Sequence, residues 1–306
     1  MTSGPETVAT GIRFSEGPVW CPATDGGAAR LVCTSVADGA LVEVDRATGT
    51  VTTVATVGGG ANAALLADDG GFLVTQNGGI DFAQLYGDDA PEYRPVRPGI
   101  QGVSAAGEVS YFAPRPDGEE LLAPNDLVVA ADGTLWFTDP PPYPPPDEPV
   151  GRVHTMTPDG TTTVVARDLH YPNGIALEPD GTPVIVEARG LMRLRADGRG
   201  DHDREWITEQ LGASPGDGCC VDVDGRLYVA VTGDHGIRVL EPDGTEVDFL
   251  PIPGEGITTN CCFGGDDLRT LFVTDAIPGS VVAWEGMPTP GLALTPWPSP
   301  GGTGPR

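Results

Sequence analysis

The sequence predicts an all-β six-bladed β-propeller, and three observations carry that expectation. One outline recurs six times: a polar residue, a short apolar run, a turn rich in Asp and Gly, and a second apolar run. The copies lead with Glu16, Asn62, Asn125, Asn173, Asp217 and Asn260, spaced 46, 63, 48, 44 and 43 residues apart. The clearest is PNGIALEPDGTPVIVEA, residues 172–188, where Pro179 and the Asp180-Gly181 pair stop the first run early and turn it into a hairpin. Second, another hairpin lies between copies, as in GRVHTMTPDGTTTVVARDL from Gly151 or GIRVLEPDGTEVDFLPIP from Gly236. Each period thus supplies four short strands, one propeller blade. Third, 44 glycines and 31 prolines suit frequent turns, and no period offers ten uninterrupted residues at helical spacing.

Residues 6–11 form a first strand that completes the last blade and closes the ring, which removes open sheet edges. Blade one runs from Glu16 to Val57, with LVEVDRATGTVTTVATV as its outer hairpin. Blade two starts at Asn62 and carries the longest connection, residues 77–98. Blade three starts at Asn125 and carries the stiff segment DPPPYPPPDEPV, residues 139–150, with Tyr143 at its centre. Blades four, five and six start at Asn173, Asp217 and Asn260. One propeller accounts for residues 1–306, its last ~15 residues a Pro/Gly-rich tail expected to follow the last blade and then fray. In this geometry both long connections lie on the face where the innermost strands begin and shape the channel mouth, with Tyr143 a substrate-contact candidate.

The formal charge is −27, from 44 acidic and 17 basic residues, which argues against binding nucleic acid or anionic membranes. All 17 basic residues are arginine, so Schiff-base chemistry on a lysine is excluded, as is a Ser-Lys dyad. The first residues show neither a basic nor an apolar signal segment, and no run has the ~18 apolar residues of a membrane span, so a cytoplasmic location is expected. Four of the six cysteines form the adjacent pairs Cys219-Cys220 and Cys261-Cys262 inside strands, where neighbours point to opposite faces; buried reduced thiols are expected.

The six leading residues all carry side-chain oxygen, and propeller symmetry sets them around one channel mouth. One Asn or Asp at a strand entry is explained by turn hydrogen bonds. Six of six, two of them acids, point instead to a hard divalent cation such as calcium or magnesium, with manganese as an alternative.

The elements FSEGPVW from Phe14, APNDLVVAADGTLWFTD from Ala123, YPNGIALEPDG from Tyr171, GDGCCVDVDGRLYVA from Gly216 and TTNCCFGG from Thr258 together resemble the SMP-30/gluconolactonase/luciferin-regenerating family. The resemblance spans essentially the whole chain. It implies a six-bladed propeller with one divalent cation at the top of the channel, calcium first, with magnesium, manganese or zinc as alternatives. It implies Glu16, Asn173 and Asp217 as metal ligands, Asn125 as a contact of metal or substrate, and Asp217 as general base or nucleophile. Asn62 and Asn260 belong to the ring by symmetry and are expected to touch substrate or channel water. Sugar-lactone hydrolases of the family can carry an arginine two residues before the PND asparagine; Ala123 stands there, which disfavours gluconolactone.

The function expected is a metal-dependent hydrolase opening a small lactone or similar ester, the cation polarising the carbonyl and a carboxylate activating water. His170 is the rival base and His235 a second histidine near the mouth. The alternatives are phosphotriester hydrolysis, Lewis-acid biosynthetic chemistry without hydrolysis, and a non-catalytic binding propeller stabilised by the cation. No Gly-x-Ser-x-Gly elbow or nucleotide-binding glycine loop is present.

Overall fold

The computed structural model describes residues 4–24, 27–112, 115–188, 190–196 and 202–299. After β1 (Glu6–Thr10), blade one is built from β2 (Ser15–Cys21), β3 (Arg30–Ser35), β4 (Ala40–Val44) and β5 (Val51–Thr56). Blade two has β6 (Ala61–Leu66), β7 (Phe72–Gln76), β8 (Gly99–Val103) and β9 (Val109–Phe112), with a one-turn helix α1 (Ala83–Tyr86) in its long connection. Blade three has β10 (Leu127–Val129), β11 (Leu135–Asp139), β12 (Gly151–Met156) and β13 (Thr162–Leu169). Blade four has β14 (Pro172–Leu177), β15 (Pro183–Glu187), β16 (Gly190–Ala196) and β17 (His202–Thr208). Blade five has β18 (Gly216–Val221), β19 (Leu227–Val231), β20 (Gly236–Leu240) and β21 (Glu246–Pro251). Blade six has β22 (Thr258–Gly264), β23 (Thr270–Asp275) and β24 (Ser280–Trp284). As the sequence predicts, β1 pairs with β24 and supplies the outer strand of that blade. The chain is an all-β six-bladed β-propeller.

The core is a set of wedges between neighbouring blades. Trp20 and Leu31 of blade one meet Phe272 and Val281 of blade six, while Tyr228 and Ile237 of blade five meet Leu271 and Val273 of blade six. Each fully buried Leu or Phe contributes about 1.5–3 kcal/mol. The outer strands β9 and β21 are mostly exposed, so the wedges carry the cohesion.

The tail departs from the expected course. It first holds to blade six as expected, the Met287 N–H donating to Arg269 O and the Gly291 N–H to Leu268 O, both at 2.8 Å, and then crosses the lower end of the channel. The Val223 N–H donates to Pro290 O at 3.0 Å and the Leu292 N–H to Val221 O at 2.9 Å, on blade five. The chain then reaches blade two, where the Trp297 N–H donates to Leu66 O and the Asp68 N–H to Trp297 O, both at 2.9 Å. The physical reason is the indole, which is 1% exposed in the wedge between blades two and three. Residues 300–306, where fraying was expected, lie outside the described residues. Trp297→Ala should cost about 3–5 kcal/mol in urea unfolding; a loss below about 1 kcal/mol, the surface range, would show that the crossing does not hold the ring.

Candidate functional site: a carboxylate and amide ring at the upper channel mouth

Five of the six leading residues, all but Asn125, sit where their innermost strand breaks register. Glu16 pairs with Thr34, but the next match is Val19 with Val32; likewise Pro172 pairs with Glu187, and then Ile175 with Ile185. The same slip follows Gly216 in β18 and Ala61 in β6. Such bulges re-aim side chains, here into the channel. Glycine permits them: a Cβ on Gly174 would lie 2.4 Å from Asp217 O, and one on Gly218 would lie 2.0 Å from Asn260 Cγ. The Gly in EGP, PNG and GDG therefore lets the next blade's ring residue close in.

On four of the six second strands, an amide or carboxylate at the strand's end accepts from the preceding link. Gln76 Oε1 accepts from the Gly60 N–H, Asp139 Oδ1 from Leu122 and Ala123, Glu187 Oε1 from His170, and Asp275 Oδ1 from Ile257. Asp139 is itself held by Arg152 at 2.9 Å and His154 at 3.0 Å. Hydroxyls on three second strands donate to the next ring residue's carbonyl: Thr34 to Asn62, Thr75 to Asn125 and Thr138 to Asn173. Thr138 also accepts from the Asp126 N–H at 3.0 Å. Thr138→Val leaves both groups unpaired, so about 1–3 kcal/mol of stability should be lost in urea unfolding; unchanged stability would mean other partners take over.

Side-chain contacts join four of the six leading residues. Glu16 is 3% exposed; its Oε2 accepts from the Gly17 N–H and from Asn260 Nδ2 at 3.1 Å. Asn173 donates to the buried Asp217 carboxylate, while its own Oδ1 is buried without a partner. Asn260 Oδ1 accepts from the Cys261 N–H at 2.8 Å. Asn125 is buried, its backbone fixed between Thr75 and Thr138. Asn62 is engaged elsewhere, accepting from Asn77 Nδ2 at 3.1 Å.

Two residues of the site were not among the sequence candidates. Asp126, beside Asn125, is buried beneath the ring, accepting from the Leu127 N–H at 2.9 Å and the Ile175 N–H at 3.2 Å. Tyr171 lies close enough to Asp217, Tyr143 and Glu16 that burial first, then those groups, push its hydroxyl up. The alternation rule hides Asp126, since neighbours on a regular strand face opposite ways; just before β10 begins, Thr138 instead pairs with both residues, accepting from the Asn125 N–H and donating its own N–H to Asp126 O, each at 3.0 Å. Tyr143 is 69% exposed, so the proline-rich connection presents it to solvent beside Tyr171. The 77–98 connection packs on the same face, the Phe82 ring meeting Phe14 at a tilt of 51° with centroids 5.0 Å apart.

The histidines are placed differently from the ring. His170 is exposed and anchored by its backbone; among the described residues its imidazole makes no hydrogen bond to Glu16, Asp126 or Asp217. His235 has both ring nitrogens occupied by the fold, Nε2 3.2 Å from Asp275 Oδ2 and Nδ1 3.0 Å from Gly254 O.

Burial and mutual repulsion dominate the electrostatics. Burial, then the charges of Asp217 and Asp126, hold Glu16 well above the usual carboxylate range. Asp217 is pushed up to about 8 by burial and by Asp126, opposed by Asn173. Asp126 is pushed up to about 7 by burial, opposed by its two backbone donors and Asn260. Among the described residues no arginine or histidine pairs with any of the three. No group of three or more His, Cys, Asp or Glu side chains there is arranged to hold a metal ion, so a cation would draw on amide oxygen as well. The donors meet that requirement: two carboxylates and an orphaned Asn173 Oδ1 are hard oxygen ligands without a cationic partner.

Among the described residues, no helix is long and apolar enough to cross a membrane. Residues 14–277 match the family described as the SMP-30/Gluconolactonase/LRE-like region. A gluconolactonase of Zymomonas mobilis is 31% identical over 180 residues, which are 51% of this chain and 49% of that protein. The match thus spans about half of that relative's length. A solved Xanthomonas campestris gluconolactonase superimposes with a TM-score of 0.74 at 25% identity, over 94% of this chain and 89% of that one. A calcium-binding regucalcin of Agrobacterium tumefaciens gives a TM-score of 0.76 at 20% identity over 97% of both chains, which bears on the fold alone. With its family match covering all six blades, the chain belongs to the SMP-30/gluconolactonase/LRE-like family.

Proposed function

We propose that the chain is a metal-dependent hydrolase that opens a small lactone or similar ester, acting in the cytoplasm. The observation that carries this reading is the cluster of Glu16, Asp217 and Asp126, buried together without a cationic partner, beside the unpartnered Asn173 Oδ1. The gluconolactonases of Zymomonas mobilis and Xanthomonas campestris support the substrate class.

Glu16, Asn173 and Asp217 would hold the cation, with Asn125 adjacent, and calcium is the first choice for such oxygen donors. When bound, a divalent ion supplies a Lewis acid that polarises a carbonyl. Asp217 takes the proton of the attacking water as the new C–O bond forms at the carbonyl carbon. The ring C–O bond then breaks, and the leaving alkoxide takes that proton. Asn173 orients Asp217 by donating to it, and Tyr171 offers a hydroxyl to a substrate oxygen. Ala123 is buried, with its N–H on Asp139, and offers no guanidinium to sugar hydroxyls. With Tyr143 and Tyr171 at the mouth, we infer a lactone less hydroxylated than gluconolactone.

The test is acid release from aliphatic, aromatic and sugar lactones, with EDTA-stripped protein, before and after adding calcium. Turnover that appears only with the metal supports the reading. Calcium binding without opening of any lactone would overturn the reaction and leave the cation site standing.

A further inference from the structure

Beneath the ring the channel widens into a chamber of about 690 Å³, lined partly by Cys219, Cys220, Cys261 and Cys262 and bordered below by the crossing tail residues 292–296. Strand alternation separates each adjacent pair: Cys219 packs toward blade four and Cys262 toward blade one. The remaining two face each other across the wedge between blades five and six. Cys220 Sγ lies 3.4 Å from Cys261 Sγ, and Cys261 Sγ also donates to Tyr228 O at 3.4 Å. All six cysteines are free, and Cys220 is the least buried of them.

We propose that Cys220 and Cys261 are a redox-active dithiol that a peroxide converts into a disulfide between β18 and β22. A disulfide bond of about 2.05 Å asks the two sulfurs to approach by about 1.4 Å, a movement on the scale of side-chain rotation. The chamber gives a small oxidant a route to both sulfurs, and the opposed geometry supplies the resolving thiol at once. Cys220 sulfur attacks one peroxide oxygen, the O–O bond breaks, and the departing hydroxide takes the Cys220 proton to leave as water. Cys261 sulfur then attacks the sulfenic sulfur; the S–S bond forms, and the expelled hydroxide takes the Cys261 proton to leave as a second water. Two thiols are oxidised by two electrons and one peroxide is reduced. The staple would sit three residues below Asp217 and one below Asn260, tying together the two blades that carry them. The proposal does not depend on the lactonase reading.

The test is stoichiometric hydrogen peroxide on the full chain, followed by peptide mapping without reduction and a thiol count in denaturant. The expected result is a Cys220–Cys261 linked peptide lighter by two hydrogens, a count falling from six thiols to four, and full reversal by dithiothreitol. Cys220→Ser, with five thiols before treatment, should retain all five, whereas Cys261→Ser should form no linked peptide and stop at a Cys220 sulfenic acid that dimedone traps. A count that stays at six in the parent chain, a link between other cysteines, or sulfinic acid at one sulfur in place of the link would overturn it.

Discussion

Asp217→Asn lowers kcat/KM for the best lactone by roughly 10²–10⁴-fold at saturating calcium, the span that a positioned general base commands. The substitution keeps the side chain's size but removes its proton-accepting oxygen. It also removes one negative charge from a buried group of three, in which burial and Asp126 already push Asp217 up to about 8. The variant should therefore be as stable as the parent in EDTA, or more so, while catalysis collapses. A merely structural Asp217 would give the opposite pattern, with stability lost and residual turnover in proportion to the folded fraction. The split between melting temperature and kcat is the readout. If Asp217→Asn keeps turnover within about threefold, the base lies elsewhere, and His170→Ala made in parallel tests the one exposed imidazole on the link before the ring.

The ring was legible because it repeats. A polar residue at the head of each copy, followed by Gly, Ala or Cys in five of the six, marks the blade period and the ring, and the structure adds a bulge at those five. Asp126 was not legible, since it reads as the outward neighbour of Asn125 until the pairing of Thr138 with both of them is known. His235 shows a different limit. Its partner Asp275 is forty residues on, in the next blade, and only blade packing decides that its ring serves the fold. The tail is the third case: what holds it is a slot for Trp297 between blades two and three, a property of the assembled ring and not of residues 288–299.

Calcium should raise the melting temperature more at pH 8 than at pH 5. All three clustered carboxyls titrate higher in the folded chain than their ordinary values, so the fold holds more protons than the unfolded chain between those limits. For such groups, stability without a cation is fully present below the unfolded value of about 4 and is lost as pH rises through the folded values. Those values are about 7 for Asp126 and about 8 for Asp217. A cation reverses the penalty by compensating the charge, and because it needs the ionised oxygens its affinity falls on acidification with uptake of protons. His154, held below its ordinary value by burial, contributes with the opposite sign, but it lies in blade three on Asp139 and cancels when loaded and stripped scans are compared at one pH. The difference between the two increments should reach several degrees, at about 2 °C per kcal/mol for a chain of this size. Glu16→Gln should raise the EDTA melting temperature at pH 8 and abolish most of the calcium increment, because it deletes both the repulsion and a ligand. Equal increments at the two pH values, or a calcium response untouched by Glu16→Gln, would place the cation away from this cluster.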